Sequence, residues 1–398
     1  MRGRLGRLAA LGVLSLLGLW GLCLDPRPLT LPSPRPRNHP PRPPANARTF
    51  RTLLSFPGER SPRSAHSDST SPSGAGDGQR PFPGPGVTEH GVFWSDGLSG
   101  SIPSGYSEAE VKQWLHAART SRLVALETGC GRTPNRLARF EDGTRACLRY
   151  GINPDQILGE TLSFYLSRLL GIRNVPAMAL SLVDTNAEQW ARVRQEVEGS
   201  QWAERTIVSL TQWVNNLSEV VPPNALRVGK RRLHPLKEDL DNATREELRD
   251  LVQWSDLILF DYLTANFDRL ASNVLSLQWD PRALERPTHN LHRTPQGVLL
   301  FIDNEAGLVH GYRVLPMWDR HHELLLKSLC VFRRETARRV AELHKRQNMA
   351  VQLLELYRAS EPLAPHMGFL SEDQARVLQS RADHVYRHIL QCKARYSP

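Results

Sequence analysis

Fifteen of the 29 prolines in this chain fall between Asp25 and His90. The same stretch is rich in serine and glycine and poor in large apolar residues, so it cannot bury enough surface to offset the entropy of ordering it. Any folded body must therefore be built from about Gly91 onward, a span of 308 residues. That is enough for a two-lobed enzyme core. Ahead of the prolines, Arg2, Arg4 and Arg7 precede an uncharged run from Leu8 to Leu24. The run is at the short limit for a membrane span and slightly longer than the core of a signal peptide. No small-x-small cleavage site follows it, which favours a type II signal anchor with its arginines on the cytosolic side. A cleaved signal that releases a secreted protein is the alternative. The expected organisation is a tip and anchor over 1–24, a disordered stem over 25–90 and a lumenal domain over 91–398.

The formal charge of +10 follows the same division. Residues 1–90 carry 12 arginines against 5 acids, while the remainder is close to balanced, with 39 basic and 36 acidic residues. The folded part thus lacks the footprint of a nucleic-acid binder.

Within that part, two carboxylates stand where packing does not explain them. Asp268 closes a helix-period apolar run (Leu257, Ile258, Phe260, Leu263, Phe267). A polar break follows, which places it where a buried helix enters a loop. Asp303 ends Val298-Leu299-Leu300-Phe301-Ile302, which reads as a buried strand. A charge there is costly unless a cation or donors meet it. Phosphoryl transfer uses such a pair: an acid that orients the attacking hydroxyl, and oxygen ligands that hold a magnesium ion on the nucleotide. Asp268 with Asn273 has the D-x-x-x-x-N spacing of a kinase catalytic loop, and Asp303 stands where kinases keep a metal ligand. Here the tripeptide is Asp303-Asn304-Glu305 rather than Asp-Phe-Gly.

Upstream, Ser107-x-x-Glu110 has capping-box spacing and opens an amphipathic helix. Three short strands are then expected, with Gly129-Cys130-Gly131 between the first two and an Asp142-Gly143 hairpin turn between the others. The third reads Ala146-Cys147-Leu148-Arg149-Tyr150, so Arg149 is the candidate to hold nucleotide phosphates. Glu160, early in the helix that follows, is its expected partner. An arginine at that position is a larger, planar, permanently charged fork than the usual lysine. Asp261 faces apolar neighbours and reads as a structural hydrogen-bond acceptor. His321-His322 reads as a helix start, with the chain helical beyond Arg320.

The segments FDYLTANFDR, SNVLSLQWDP, THNLHR and FIDNEAGLVHGYR, all between Phe260 and Arg313, resemble the Four-jointed family of atypical secretory-pathway kinases. The resemblance extends from about Gly91 to the C-terminus. It implies an α+β, two-lobed atypical protein-kinase-like fold with a small β-rich lobe (about 107–215) and a larger helical lobe (about 240–398). It also implies a Golgi or secreted Ser/Thr kinase that uses ATP with magnesium or manganese. The implied substrates are extracellular cadherin-domain proteins of the Fat and Dachsous type, in planar polarity and growth signalling. Asp268 would be the catalytic acid and Asp303, perhaps with Asn273, the metal ligand.

Asn216-Leu217-Ser218 and Asn242-Ala243-Thr244 are N-glycosylation acceptors that only a lumenal chain uses. Four cysteines follow the anchor, and an even number in an oxidising compartment suggests two disulfides with three pairings open. The expected pairing is Cys130 with Cys147 and Cys330 with Cys392. Two other readings compete with the kinase. One is a catalytically weak kinase-fold signalling protein acting on growth or neurite shape. The other is a type II Golgi glycosyltransferase, for which Asp239-Leu240-Asp241 supplies a D-x-D pattern.

Overall fold

The computed structural model describes residues 86–397 apart from 152, 228–231 and 237, so the expected anchor and nearly all of the expected stem lie outside it. Among the described residues no helix is long and apolar enough to cross a membrane.

Helix α1 (Glu108–Thr120) opens on a full capping box, with Ser107 and Glu110 each satisfying the other's backbone N–H. Strands β1 (Leu123–Glu127), β2 (Arg136–Phe140) and β3 (Arg145–Arg149) then run as an antiparallel meander. Asp142 builds the second turn by accepting the Thr144 N–H at 2.9 Å, and Gly143 supplies the positive φ. Helix α2 (Pro154–Leu169) follows, then β4 (Met178–Leu182) and β5 (Ile207–Gln212). The sheet order is β1-β2-β3-β5-β4, antiparallel throughout.

The second lobe is mainly helical. It begins with the two-residue strand β6 (Ser218–Glu219), and its axis is α3 (Arg245–Thr264), which is buried on every side from Leu251 to Thr264. A helix buried on every side belongs in the middle of a lobe, with α5 and α8 packed directly on it and the other helices of the lobe on those or on α2. They are α4 (Leu270–Ser276), α5 (Leu315–Lys327), α6 (Arg334–Arg346), α7 (Met349–Ser360) and α8 (Glu372–Tyr396). Strands β7 (Leu291–Arg293) and β8 (Leu299–Phe301) complete a small antiparallel sheet of order β8-β7-β6.

Two features differ from expectation. The first described residues join the helical lobe: Trp94 donates its backbone N–H to Phe332 O and its indole N–H to Ser255, each at 3.0 Å. The other concerns His321 and His322, which lie in the middle of α5 rather than at a helix start. That helix begins at Leu315 with Pro316 in its first turn, where a missing N–H costs nothing. Both imidazoles are buried, which holds them below the usual histidine range.

The lobes are joined along α2. Helix α7 packs against it, and Glu361 just beyond α7 accepts from Leu180 N–H at 3.1 Å and from Arg119 at 3.0 Å. Cys130 is bridged to Cys147, which ties the glycine turn to β3, and Cys330 is bridged to Cys392, which ties α8 to the lobe. The fold is α+β in two lobes, and its functional elements succeed one another as in a protein kinase: glycine turn, basic strand, acidic helix, carboxylate loop, strand-terminal carboxylate.

Candidate active site

Asp268 and Asp303 come from different elements, and one buried arginine fixes their relation. Helix α3 stops at Ala265, in a left-handed conformation, and the chain turns through Asn266, whose side chain accepts the Asp268 N–H at 3.0 Å. The next residue, Arg269, has no solvent exposure. Its guanidinium grips both oxygens of Asp261 and donates to Ile302 O and Asn304 Oδ1, at 3.1 and 3.0 Å. Asp261 is therefore a structural acceptor. The arginine it holds pins the loop after α3 to the loop after β8, and these loops carry Asp268 and Asp303.

Asp268 forms no ion pair with any described residue. It caps no helix, and its side-chain partner is Asn290, whose amide donates to Oδ2 at 3.0 Å. Burial, with Asp303 nearby adding repulsion, pushes its carboxyl up to about 6, against the opposing pull of Arg269, Asn290 and Arg132. Asp303 follows β8 with φ 55°, a left-handed conformation that aspartate tolerates better than most residues with a side chain. Arg149 reaches it from β3 at 2.5 Å and reaches Glu305 at 3.3 Å. Arg132, at the end of the glycine turn, pairs with Glu305 as well. Glu305 is nonetheless pushed up to about 7, first by burial and then by Asp303.

Glu160 is buried on the second turn of α2, and burial raises its carboxyl although Arg149 attracts it. The ion pairs of Arg149 go to Asp303 and Glu305, not to Glu160 as expected; Glu160 acts on it from beyond pairing distance. What brings α2 this close is Gly159, where a Cβ would lie 2.9 Å from the carbonyl oxygens of both Glu305 and Gly307. Asn273 makes no hydrogen bond with this group, and its Nδ2 donates to Thr288 at 3.1 Å.

Of these residues Arg149, Glu305 and Arg132 line a narrow cleft, with Asn135 and Ser209 also in its walls, whose free space of about 10 Å³ holds little more than a water molecule while the arginines are paired. Three buried polar atoms around it, Arg149 Nε, Glu160 Oε2 and Ser209 Oγ, have no hydrogen-bond partner. Orphaned atoms of both signs suit a ligand that carries both, and an all-oxygen donor set suits a hard divalent cation. Beyond Asp303 the chain is helical again at Val309–Arg313 and then in α5, with no long loop between. The Asp239-Leu240-Asp241 pattern lies in a one-turn helix, Glu238–Asp241, apart from these walls.

The profile of the four-jointed box protein middle domain matches residues 109–395, both lobes and every carboxylate above. The chain belongs to the four-jointed box family. Human four-jointed box protein 1 is 53% identical over 379 residues, a match covering 92% of this chain and 86% of the human one. The extracellular serine/threonine protein kinase four-jointed of Drosophila melanogaster is 33% identical over 361 residues. That match spans 77% of this chain and 61% of the fly protein. Among solved structures, the Golgi casein kinase with Mn/ADP bound aligns with 72% of this chain and 77% of its own at 14% identity and TM-score 0.48. Sequence reasoning on this four-jointed box chain missed Arg132, Arg269 and Asn290 as site residues. Each acts across the fold, and the one local hint is the positive φ of Asn290, a residue type that tolerates it.

Proposed function

We propose that this protein is a secretory-pathway Ser/Thr kinase that transfers the γ-phosphate of ATP to hydroxyls of extracellular proteins, with cadherin-domain proteins of the Fat and Dachsous type as acceptors. The observation that carries this reading is a single cluster in which Asp303 pairs with Arg149 and repels Asp268, with Glu160 acting on that arginine from behind. Asp268 orients the acceptor hydroxyl and takes its proton, and its raised carboxyl makes it a better base than a surface aspartate. Asp303 would hold a magnesium or manganese ion, with Asn273, whose Nδ2 is turned to Thr288, as the expected second ligand. The ion would supply neutralisation of the phosphate charge. Arg149 positions the phosphates, with Glu160 holding that arginine's charge toward the cleft. Residence in the Golgi as an anchored protein, or export after cleavage, agrees with the two bridges and with the exposed acceptors Asn216 and Asn242.

The test is phosphate transfer from labelled ATP with manganese by the full chain, to a cadherin-repeat acceptor, alongside Asp268→Ala and Asp303→Ala. Loss of transfer by at least a hundredfold in both variants is expected; full activity in either sinks its assigned role. A second reading, a kinase-fold signalling protein with little turnover, is favoured by the direct Arg149–Asp303 pair, which sets an arginine against the metal ligand. Nucleotide binding without transfer would select it.

A further inference from the structure

Four carboxylates (Glu160, Asp268, Asp303, Glu305) and two arginines (Arg132, Arg149) form one electrostatic cluster, of which Arg132, Arg149 and Glu305 line the cleft, since Arg269 is spent on Asp261. With all four ionised the shortfall is two positive charges, the charge of one divalent cation, and burial with mutual repulsion raises the carboxyls of Asp268 and Glu305 as long as that charge is not supplied. If that cation takes the carboxylates, both arginines lose their partners. Arg149 is buried at the end of a strand, whereas Arg132 lies at the cleft mouth, with its side chain 32% exposed against 12% for Glu305.

The turn that carries Arg132 is built to hold its shape. The Cys130–Cys147 bridge ties it to β3, and the Asn135 N–H returns to Arg132 O at 2.9 Å. Arg136 donates to Thr133 O and Asn135 O at 2.6 and 2.8 Å, and the Trp202 indole N–H donates to Pro134 O at 3.1 Å. A turn held by its own bridge and hydrogen bonds does not depend on the Glu305 pair for its shape. The lobes are held by α2 and α7 instead. An arginine fork is also the side chain best suited to exchange a carboxylate for a phosphate, since both accept it through two oxygens.

We propose that Arg132 is an exchangeable clamp that pairs with Glu305 until a divalent cation takes up that carboxylate, and then grips the phosphates of a nucleoside di- or triphosphate. The inference rests on the nucleotide reading of this cleft and names a binding residue within it. The exchange makes Arg132 a competitor of the cation and an ally of the nucleotide. Its removal should therefore move two affinities in opposite directions, which loss of a merely structural residue would not do.

The experiment measures manganese binding alone, and ADP binding at saturating manganese, by calorimetry on the full chain. For Arg132→Gln we expect manganese affinity to rise several-fold and ADP affinity to fall about tenfold or more. Arg132→Lys, which keeps the charge and loses the fork, should fall between. In a Glu305→Gln background, Arg132→Gln should no longer raise manganese affinity. Arg139→Gln, an exposed arginine on β2, controls for net charge and should change neither value. Wild-type ADP binding that Arg132→Gln leaves intact, or two affinities that fall together, overturns the clamp alone. Wild-type protein that binds no ADP at saturating manganese overturns the nucleotide reading and the clamp with it.

Discussion

At the scale of single residues, Asp268 is held at a cost to the fold. Its carboxyl at about 6 binds a proton that the unfolded chain, with a value near 4, has already released. Acid therefore favours the folded state in this window, and stability falls as pH rises from about 4 to about 6. Asp268→Asn removes the penalty, so urea unfolding at pH 7.5 should show a gain on the order of 1–2 kcal/mol that shrinks at pH 5. The same substitution should abolish transfer, and wild-type transfer should decline below about pH 6, where Asp268 becomes protonated. Asp268 and Asp303 were legible in the sequence because each ends an apolar run with a charge, which is a local anomaly. Arg132 and Asn290 were not, because what marks them is a contact with residues far along the chain. Arg149 was placed on the right strand, but its partner depends on how closely α2 approaches, which Gly159 decides.

Helices and strands were easier to read where they carry their own boundary chemistry. Ser107 with Glu110 is a capping box in the structure as in the sequence, Asp142-Gly143 makes its turn, and Thr244 with Glu247 forms a second capping box. The start of α5 was missed because Pro316 reads as a break when it stands instead in a first turn. Thr244 has two duties. It is the N-cap of α3, accepting the Glu247 N–H at 3.2 Å, and it completes the Asn242 acceptor sequence. The two can be separated. Thr244→Ala should remove any glycan on Asn242 and also lower stability by about 1 kcal/mol, whereas Asn242→Gln should remove the glycan and leave the cap intact. Gel shift after glycosidase treatment, together with thermal melting, would check both.

For the molecule as a whole, the two bridges divide the labour: one shapes the cleft and the other closes the body. Cys330–Cys392 spans 62 residues of sequence, and a loop of that size constrains the unfolded chain by about 4 kcal/mol. Cys392→Ala should lower the melting temperature by roughly 5–10 °C in non-reducing buffer, with little effect on nucleotide affinity. Length allowed a two-lobed plan and the family resemblance implied it, but the docking of residues 86–101 on the helical lobe was not legible, since it depends on Trp94 reaching Ser255 and Phe332. The short passage from Asp303 into α5 has a consequence for control. Many kinases are turned on when phosphorylation orders a long loop at this point of the chain. Here the chain re-enters helix at Val309, so among the described residues there is no long loop at this point for phosphorylation to order. Its output would then be governed by traffic: how much of it shares a compartment with its acceptors, and for how long.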